Sequence, residues 1–318
     1  MSVLAYIELA NGKVKKASFE TASYAAAAAK VAGVDAIGVA LGSADAGALE
    51  ELGQYGLSTV YHVSNDQLNK FDSKVDAKVI AEVANAKGAN TVVFAHNYSG
   101  KALAPRLSVK LNAGLVAGAV ALPEADGIQK TAFSNKGFAK INITSDKKII
   151  SVASNSFGVN KGEGSATVEA MDVALDAPSV TVKEVIKLSD KITLTEAELV
   201  VSAGRGLKGP ENWGMIEEMA DILGAATACS RAVSDVDWRP HHEHVGQTGL
   251  TVSPNLYIAV AISGAIQHLA GVSSSKTIVV INKDPEAPFF KAADYGIVGD
   301  AFEVVPKLNA ALKEFKGV

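Results

Sequence analysis

Two glycine-bounded turns carry the side chains of this chain that are best suited to binding a polar ring and a phosphate. The first is Val245-Gly246-Gln247-Thr248-Gly249, and the second is Ser263-Gly264-Ala265-Ile266-Gln267-His268. Gln247 and Thr248 can donate hydrogen bonds to heteroatoms of a ring, or accept hydrogen bonds from them. The second turn offers consecutive backbone N–H groups at the start of a helix, a common phosphate site. The two turns together predict a cofactor site.

Basic side chains follow two other predicted strands. Gly204-Arg205-Gly206-Leu207-Lys208-Gly209 comes between a strand and a helix, where glycines permit close backbone approach and the cations can meet phosphate. The alternative for this turn is a purely structural role. Ser230-Arg231 ends a strand of small residues, and a guanidinium there can stack on an aromatic ring. A surface ion pair is the alternative for Arg231.

Polar loops also follow two later strands. Asn282-Lys283-Asp284-Pro285 and Gly299-Asp300 lie where Asn or Asp side chains commonly meet a ribose or an adenine edge. Turn formation is the competing interpretation of both loops. The sequence contains no Gly-x-Ser-x-Gly, His-Glu-x-x-His or Gly-x-x-x-x-Gly-Lys-Ser/Thr motif, which favours a cofactor carrier over a hydrolase.

Alternating strand and helix patterns predict α/β architecture in two domains. The first domain, residues 1–188, is expected to form a parallel sheet with an antiparallel extension, and the second, residues 189–318, a doubly wound sheet. The predicted strands are residues 3–7, 36–41, 59–63, 91–95, 115–122, 130–133, 138–143, 148–152, 180–185, 199–202, 226–228, 256–262, 277–281 and 295–298. The predicted helices are residues 21–31, 46–54, 76–86, 101–111, 212–223, 265–270 and 304–315.

Composition narrows the class of protein. The chain has 318 residues, of which 48% are hydrophobic, and its net charge of −4 argues against non-specific nucleic-acid binding. The single cysteine, Cys229, excludes an intramolecular disulfide and a cysteine-ligated cluster. The first residues lack a basic signal-peptide region, and no apolar run reaches the roughly 20 residues of a membrane span. We therefore expect a cytoplasmic protein without direct membrane insertion.

Together these segments closely resemble the alpha subunit of electron transfer flavoprotein. The match is dense over residues 199–306, whereas in the first half residues 103–111 are the most family-like stretch. The matching blocks are residues 201–208, 230–231, 245–249, 254–259, 262–271, 281–288, 293–296 and 299–300.

The resemblance implies a heterodimer with a beta subunit, in which the second domain of this chain holds FAD and the first supplies much of the subunit interface. Such a protein takes electrons from flavin dehydrogenases, typically the acyl-CoA dehydrogenases of fatty acid beta-oxidation. It passes the electrons towards a membrane quinone reductase. The chain is then an electron carrier, and substrate chemistry takes place in its partners.

The resemblance also implies roles for individual residues. Arg231 would stack over the isoalloxazine ring, Thr248 would bond ring N5, and His268, protonated or as a donor, would lie beside the C2 carbonyl. Cationic and donor groups in these places stabilise negative charge on the reduced ring. Ser230 and Gln247 would line the ring, and Gly249 belongs to the same set. The remaining contacts would be Arg205, Ser263, Gly264, Ala265, Ile266 and Gln267 at the pyrophosphate and ribityl chain, and Asn282 and Asp300 at the adenosine.

Two features depart from the family pattern. His241-His242-Glu243-His244 precedes the first turn, and its histidines are expected either to form a polar loop that makes the flavin potential pH-sensitive or to bind a metal. Ala301 stands where the family suggests a bulkier side chain. Two further functions stay open at this point: an enzyme with an NAD- or thiamine-type binding domain, and a nucleotide-sensing regulatory protein.

Overall fold

A computed structural model describes residues 1–133, 137–184 and 193–317 of the chain. It contains two compact units, Met1–Ile186 and Lys187–Val318, which are described separately. The predicted domain boundary after residue 188 lies outside the described residues, so it stays a prediction.

The first unit alternates strands with helices along most of its length. Its elements are β1 (Ser2–Ile7), β2 (Leu9–Ala10), β3 (Lys13–Val14), α1 (Lys16–Ala32), β4 (Asp35–Leu41), α2 (Ala46–Glu50), β5 (Thr59–Val63), α3 (Ser73–Ala86), β6 (Ala89–Ala95), α4 (Tyr98–Leu111), β7 (Gly114–Ala119), β8 (Ile128–Ala132), β9 (Gly137–Ile141), β10 (Lys148–Val152) and β11 (Thr167–Ala170). Short 3-10 helices occupy Glu51–Tyr55 and Asp66–Asn69.

The main sheet of this unit confirms a parallel sheet with an antiparallel extension. Its strand order is β11-β5-β4-β1-β6-β10-β7-β8-β9. The first seven strands in that order are parallel, whereas β8 is antiparallel to both β7 and β9. The chain's alternation of strands and helices thus produces the predicted layers.

The prediction that residues 148–152 continue the antiparallel extension is wrong. β10 lies between β6 and β7 and is parallel to both, with Ile149 in register with Val92 and Leu115. The physical reason is burial on both faces, because Ile149 packs into one hydrophobic core and Ile150 into the other. A strand covered on both faces belongs inside a sheet rather than at its edge.

The prediction of a strand at residues 180–185 is also wrong over its described part. Residues 180–184 form no strand, Val180 is 58% exposed, and Val185 lies outside the described residues. Just before them, the Ser179 N–H and hydroxyl donate to the Asp72 carboxylate at 2.7 and 2.9 Å, so the chain is tied to a helix N-terminus instead of a sheet edge. β11, which the sequence did not indicate, pairs with β5.

The second unit is a smaller α/β fold. Its elements are β12 (Leu199–Ala203), α5 (Gly214–Leu223), β13 (Ala226–Cys229), α6 (Arg231–Ser234), β14 (Leu256–Val260), α7 (Ile266–Val272), β15 (Thr277–Asn282), β16 (Tyr295–Val298) and α8 (Ala301–Lys316), with 3-10 helices at Arg205–Leu207, Pro210–Asn212, His241–Glu243 and Pro288–Ala292. α8 begins three residues before its predicted start because the Asp300 carboxylate accepts a hydrogen bond from the Phe302 N–H at 2.9 Å and caps the helix.

The second sheet confirms the predicted doubly wound architecture. All five strands are parallel, in the order β13-β12-β14-β15-β16. Adjacent residues of β14 enter opposite cores, since Tyr257 packs on one face of the sheet and Ile258 on the other. Strand order changes direction between β12 and β14, and ligands of such sheets bind in the crevice at the carboxyl ends of the strands beside that point.

Candidate functional site

At the crevice between β12 and β14, the backbone that follows β12 packs closely against the backbone that follows β14. The Gly204 N–H donates to the Val260 carbonyl at 3.0 Å. A Cβ on Gly204 would overlap the Ala261 carbonyl, and one on Gly206 would lie 2.7 Å from the Ala261 Cβ. Both glycines are therefore required by contacts within the protein, which supports the structural interpretation of this turn. Arg205, between them, is exposed and has no ion-pair partner among the described residues.

The loop after β14 presents a row of unbonded N–H groups. Within the described part of the chain, the N–H groups of residues 263–267 donate to no acceptor. Gly264 has φ of +81°, and a Cβ there would lie 2.5 Å from the Cβ of buried Phe289. Phe289 also donates its N–H to the Ser263 carbonyl at 3.1 Å. The loop therefore packs on Phe289 while its N–H groups stay without an acceptor in the described residues, an arrangement suited to binding an anion.

The turn at residues 245–250 is tied to this loop. Its backbone closes on itself through Gly246 N–H to the Leu250 carbonyl at 3.1 Å, and the Gln247 N–H donates to the Gln267 carbonyl at 2.7 Å. Gly249 closes the turn, and the side chains of Gln247 and Thr248 are exposed. The structure therefore brings the two turns identified in the sequence into direct contact.

Ser230 and Arg231 lie at the end of β13, beside β12. The Ser230 N–H donates to the Ala203 carbonyl at 3.1 Å, which fixes the start of α6 at the crevice. The Arg231 side chain is 64% exposed, and its Nε lies 3.3 Å from Asp235 Oδ2. An exposed ion pair of this kind contributes only about 0–1 kcal/mol, so the guanidinium can leave it for a bound ring at little cost.

His268 is buried rather than open to solvent. Its Nε2 lies 2.9 Å from the Tyr257 hydroxyl. Its buried Nδ1 makes no hydrogen bond of good geometry within the described residues, although the Val245 backbone lies close enough to oppose the lowering of the His268 pKa. Burial, reinforced by the proximity of His244, lowers the pKa of His268 to about 4. The imidazole is therefore neutral at neutral pH. Of the two forms predicted for His268, this favours a neutral hydrogen-bond donor over the protonated ring.

The side chains of Asn282 and Asp300 form hydrogen bonds with backbone groups of the protein itself. Asn282 donates from Nδ2 to the Ile262 carbonyl at 2.9 Å and accepts from the Asp284 N–H at 3.0 Å. Asp300 caps α8, and the Gly299 N–H donates to the Asn282 carbonyl at 3.0 Å, which brings the two loops together. Turn formation thus accounts for both residues, and their predicted contact with an adenosine stays a prediction.

The loop of histidines is fastened by an ion-pair network that the sequence did not indicate. Arg239 contacts Glu243 at 2.7 and 2.6 Å and Glu217 of α5 at 2.8 Å. In the sequence, only the four-residue separation of Arg239 and Glu243 could have indicated an ion pair between them. Over the described ranges, the His, Cys, Asp and Glu side chains form no group of three that could hold a metal ion.

Tyr257 and Phe289 were also missed as site residues. Both are fully buried, Tyr257 beneath His268 and Phe289 beneath Gly264. In the sequence each stands inside an apolar segment, where aromatic residues are usually core residues.

Among the described helices, none combines the length and the apolar character needed to cross a membrane.

Comparison with known proteins covers both units. Residues 3–176 match the family described as "Electron transfer flavoprotein domain", and residues 193–273 match "Electron transfer flavoprotein FAD-binding domain". The "Electron transfer flavoprotein subunit alpha" of Bacillus subtilis is 36% identical over 314 residues, covering 96% of each chain. The subunits of the same name from Syntrophomonas wolfei and Mycobacterium tuberculosis are 37% and 38% identical, covering 97% and 99% of this chain and 98% and 99% of their own lengths. The chain therefore belongs to the electron transfer flavoprotein alpha-subunit family.

Proposed function

We propose that this chain is the FAD-binding subunit of a heterodimeric electron carrier, with a beta subunit as its partner. It takes electrons from flavin dehydrogenases, typically acyl-CoA dehydrogenases of fatty acid beta-oxidation, and delivers them to a membrane quinone reductase from a cytoplasmic location. The observation that carries the proposal is the row of free N–H groups at residues 263–267, which lies in the crevice of a doubly wound sheet within the FAD-binding domain.

The donor set at the crevice fits the charge of FAD. A dinucleotide presents a doubly charged pyrophosphate, which backbone N–H groups and an unpaired arginine bind well. Ser263 adds a hydroxyl, and Arg205 adds a guanidinium that no described carboxylate neutralises. A Cβ on Gly264 would push the loop off Phe289, so this loop conformation depends on glycine.

Four side chains would surround the isoalloxazine ring. Thr248 and Gln247 project from an exposed turn and can donate to ring heteroatoms, while Arg231 can stack on the ring face. His268 is neutral and is fixed through Nε2 by Tyr257, so its remaining nitrogen can serve as a donor after a local rearrangement. Bound FAD supplies the electron-accepting ring, and these residues hold it, orient it and stabilise negative charge on it.

A spectroscopic experiment tests the proposal. The chain is co-expressed with its beta subunit, purified as a complex, and examined by visible absorption before and during stepwise reduction. We expect a flavin spectrum that bleaches on reduction and an extracted cofactor that behaves as FAD. A colourless complex, or the lack of any complex, would contradict the proposal.

Substitution at the ring tests the proposed role of Arg231. We expect Arg231→Ala to lower the midpoint potential of the bound flavin, because a cation beside the ring favours the reduced, more negative form. Lys276→Ala is the matched control, since it removes one exposed positive charge just before β15, at the amino end of a strand, whereas Arg231 follows the carboxyl end of β13. An unchanged potential in Arg231→Ala contradicts the stacking role.

Reduction by candidate donors tests the proposed pathway. The oxidised complex is mixed with a catalytic amount of an acyl-CoA dehydrogenase and its acyl-CoA substrate, and bleaching of the flavin of the complex is followed. We expect bleaching that depends on the dehydrogenase. Bleaching only by other flavin dehydrogenases would replace the proposed donor while leaving the FAD-binding role in place.

A further inference from the structure

The imidazole of His244 is packed beneath the turn that carries Gln247 and Thr248. The residue is 8% exposed, and its carbonyl accepts a hydrogen bond from the Leu250 N–H at 2.8 Å. A Cβ on Gly249 would lie 2.8 Å from His244 Nδ1, and one on Gly246 would lie 3.5 Å from His244 Nε2. The ring therefore lies against both glycines that bound the turn.

The His244 ring has no protein partner in the described part of the chain. No hydrogen bond or ion pair reaches either of its nitrogens, whereas the neighbouring Glu243 is bonded to Arg239, and His268 is bonded through Nε2 to Tyr257. Neither nitrogen is among the fully buried polar atoms that lack a partner, so the ring keeps some contact with solvent and can exchange a proton with it.

The charges around His244 come from three elements. Arg231 of α6, Asp235, which follows that helix, and His241 on the same loop act on the pKa of His244, and His244 in turn lowers the pKa of His268 of α7. Burial lowers the pKa of His244, Asp235 raises it, and Arg231 and His241 lower it. The nearby Cys229 thiol stays neutral, since burial raises its pKa to about 12. Together these groups hold the pKa of His244 below its usual range, beside the residues proposed to surround the flavin ring.

We propose that His244 binds a proton when the cofactor gains an electron, so that this chain couples electron transfer to proton uptake at one of its own side chains. The proposal rests on the proposed FAD site. One electron comes from the donor protein to the ring, and one proton comes from solvent to the free nitrogen of His244. The added positive charge offsets the added negative charge. When the electron leaves for the acceptor, the proton returns to solvent.

The coupling follows from linkage between two charges at close range. Negative charge on the ring favours the imidazolium, so the pKa of His244 must be higher in the reduced complex than in the oxidised one. Between those two pKa values, reduction takes up one proton for each electron. The equilibrium constant for adding that electron then rises about tenfold for each unit by which the pH falls.

Redox titration of the FAD-loaded complex between pH 5.5 and 8.5 tests this coupling. We expect His244→Gln to lose the tenfold-per-unit contribution to the first one-electron step, leaving only the pH dependence of the flavin itself. His242→Gln is the control, because His242 is exposed and only two residues away, and we expect it to retain the full dependence. Equal pH dependence in the wild type and in His244→Gln overturns the proposal.

Labelled-histidine NMR of the wild-type complex provides an independent measurement. The His244 signal, identified by its loss in His244→Gln, is titrated in the oxidised and in the reduced complex. We expect a higher pKa in the reduced state, and the same pKa in both states overturns the proposal even if the variant fails to bind FAD. A complex that shows no flavin spectrum contradicts the proposed function itself, whereas a flavin with no shift in the His244 pKa contradicts only the coupling.

Discussion

Asp76 offers the sharpest quantitative test of the first unit. Its side chain is buried in α3 with 3% of the residue exposed, and its Oδ1 has no hydrogen-bond partner in the described residues. Burial, with the nearby charge of Asp72, raises the pKa of Asp76 from 3.8 to about 7. Asp76→Asn keeps the shape of the side chain and removes the charge. We therefore expect this substitution to stabilise the fold in a pH-dependent manner.

The magnitude follows from proton linkage. Below pH 3.8 Asp76 is protonated in both the folded and the unfolded chain, so its ionisation has no effect on stability. Between pH 3.8 and about 7 only the unfolded chain is ionised, and the folded state loses about 1.4 kcal/mol for each pH unit. Above pH 7 the loss stays constant at about 4 kcal/mol. Asp76→Asn removes this loss, and the gain is about 4 kcal/mol at pH 8 and about 1.5 kcal/mol at pH 5.

Urea denaturation of the full chain measures the effect. The midpoint of the transition assigned to the first unit is compared for wild type and Asp76→Asn at pH 5 and pH 8, with the slope checked for equality. Asp72→Asn is the control, and we expect it to change the stability of the first unit in the opposite direction, towards a loss. Burial alone would raise the pKa of Asp72, but hydrogen bonds from Lys74, Ser179 and Val75 outweigh burial and lower it to about 2. An equal gain for Asp76→Asn at both pH values, or a loss, refutes the reasoning.

Three further substitutions test the second unit. Gly264→Ala should weaken FAD binding at least tenfold, measured by flavin fluorescence, because the added Cβ meets Phe289 and φ is +81°; unchanged affinity would count against the loop. Arg239→Leu should cost about 3 kcal/mol in urea denaturation by leaving Glu243 buried without its partner, and Lys276→Leu is the control. Tyr257→Phe should cost about 1–3 kcal/mol, because His268 Nε2 loses its partner; an unaltered midpoint would contradict that.

Much of the fold was predictable from local pattern. The parallel strands β12, β14 and β15 stand out as short apolar runs between turns, and the strand that ends in Cys229 stands out by its small residues. β10 was misplaced for a physical reason. Its short length and the Ser145-Asp146 turn before it are equally compatible with a hairpin, and only packing on both faces assigns it to the interior.

The candidate site was predictable in composition but not in its internal contacts. The sequence identified the turns around Gly246 and Gly264, and the structure joins them through the Gln247 N–H and the Gln267 carbonyl. The contact between Tyr257 and His268 was not predictable from the sequence, since the two residues lie on a strand and a helix that meet only after folding. For the glycines at 204 and 206 the sequence left ligand approach and a structural role open, and their close contacts with Ala261 support the structural role.

The sequence by itself determined the two-part α/β organisation, the turn chemistry and the family, because these depend on residue type and short-range spacing. Tertiary structure alone decided the charge and freedom of each polar side chain. His268 is bonded to Tyr257, the His244 ring has a lowered pKa and no protein partner among the described residues, and Arg231 is exposed, although all three are basic residues of the second unit. Burial and neighbours set these differences, and both come from β13, β14 and α7 packing together across long stretches of chain.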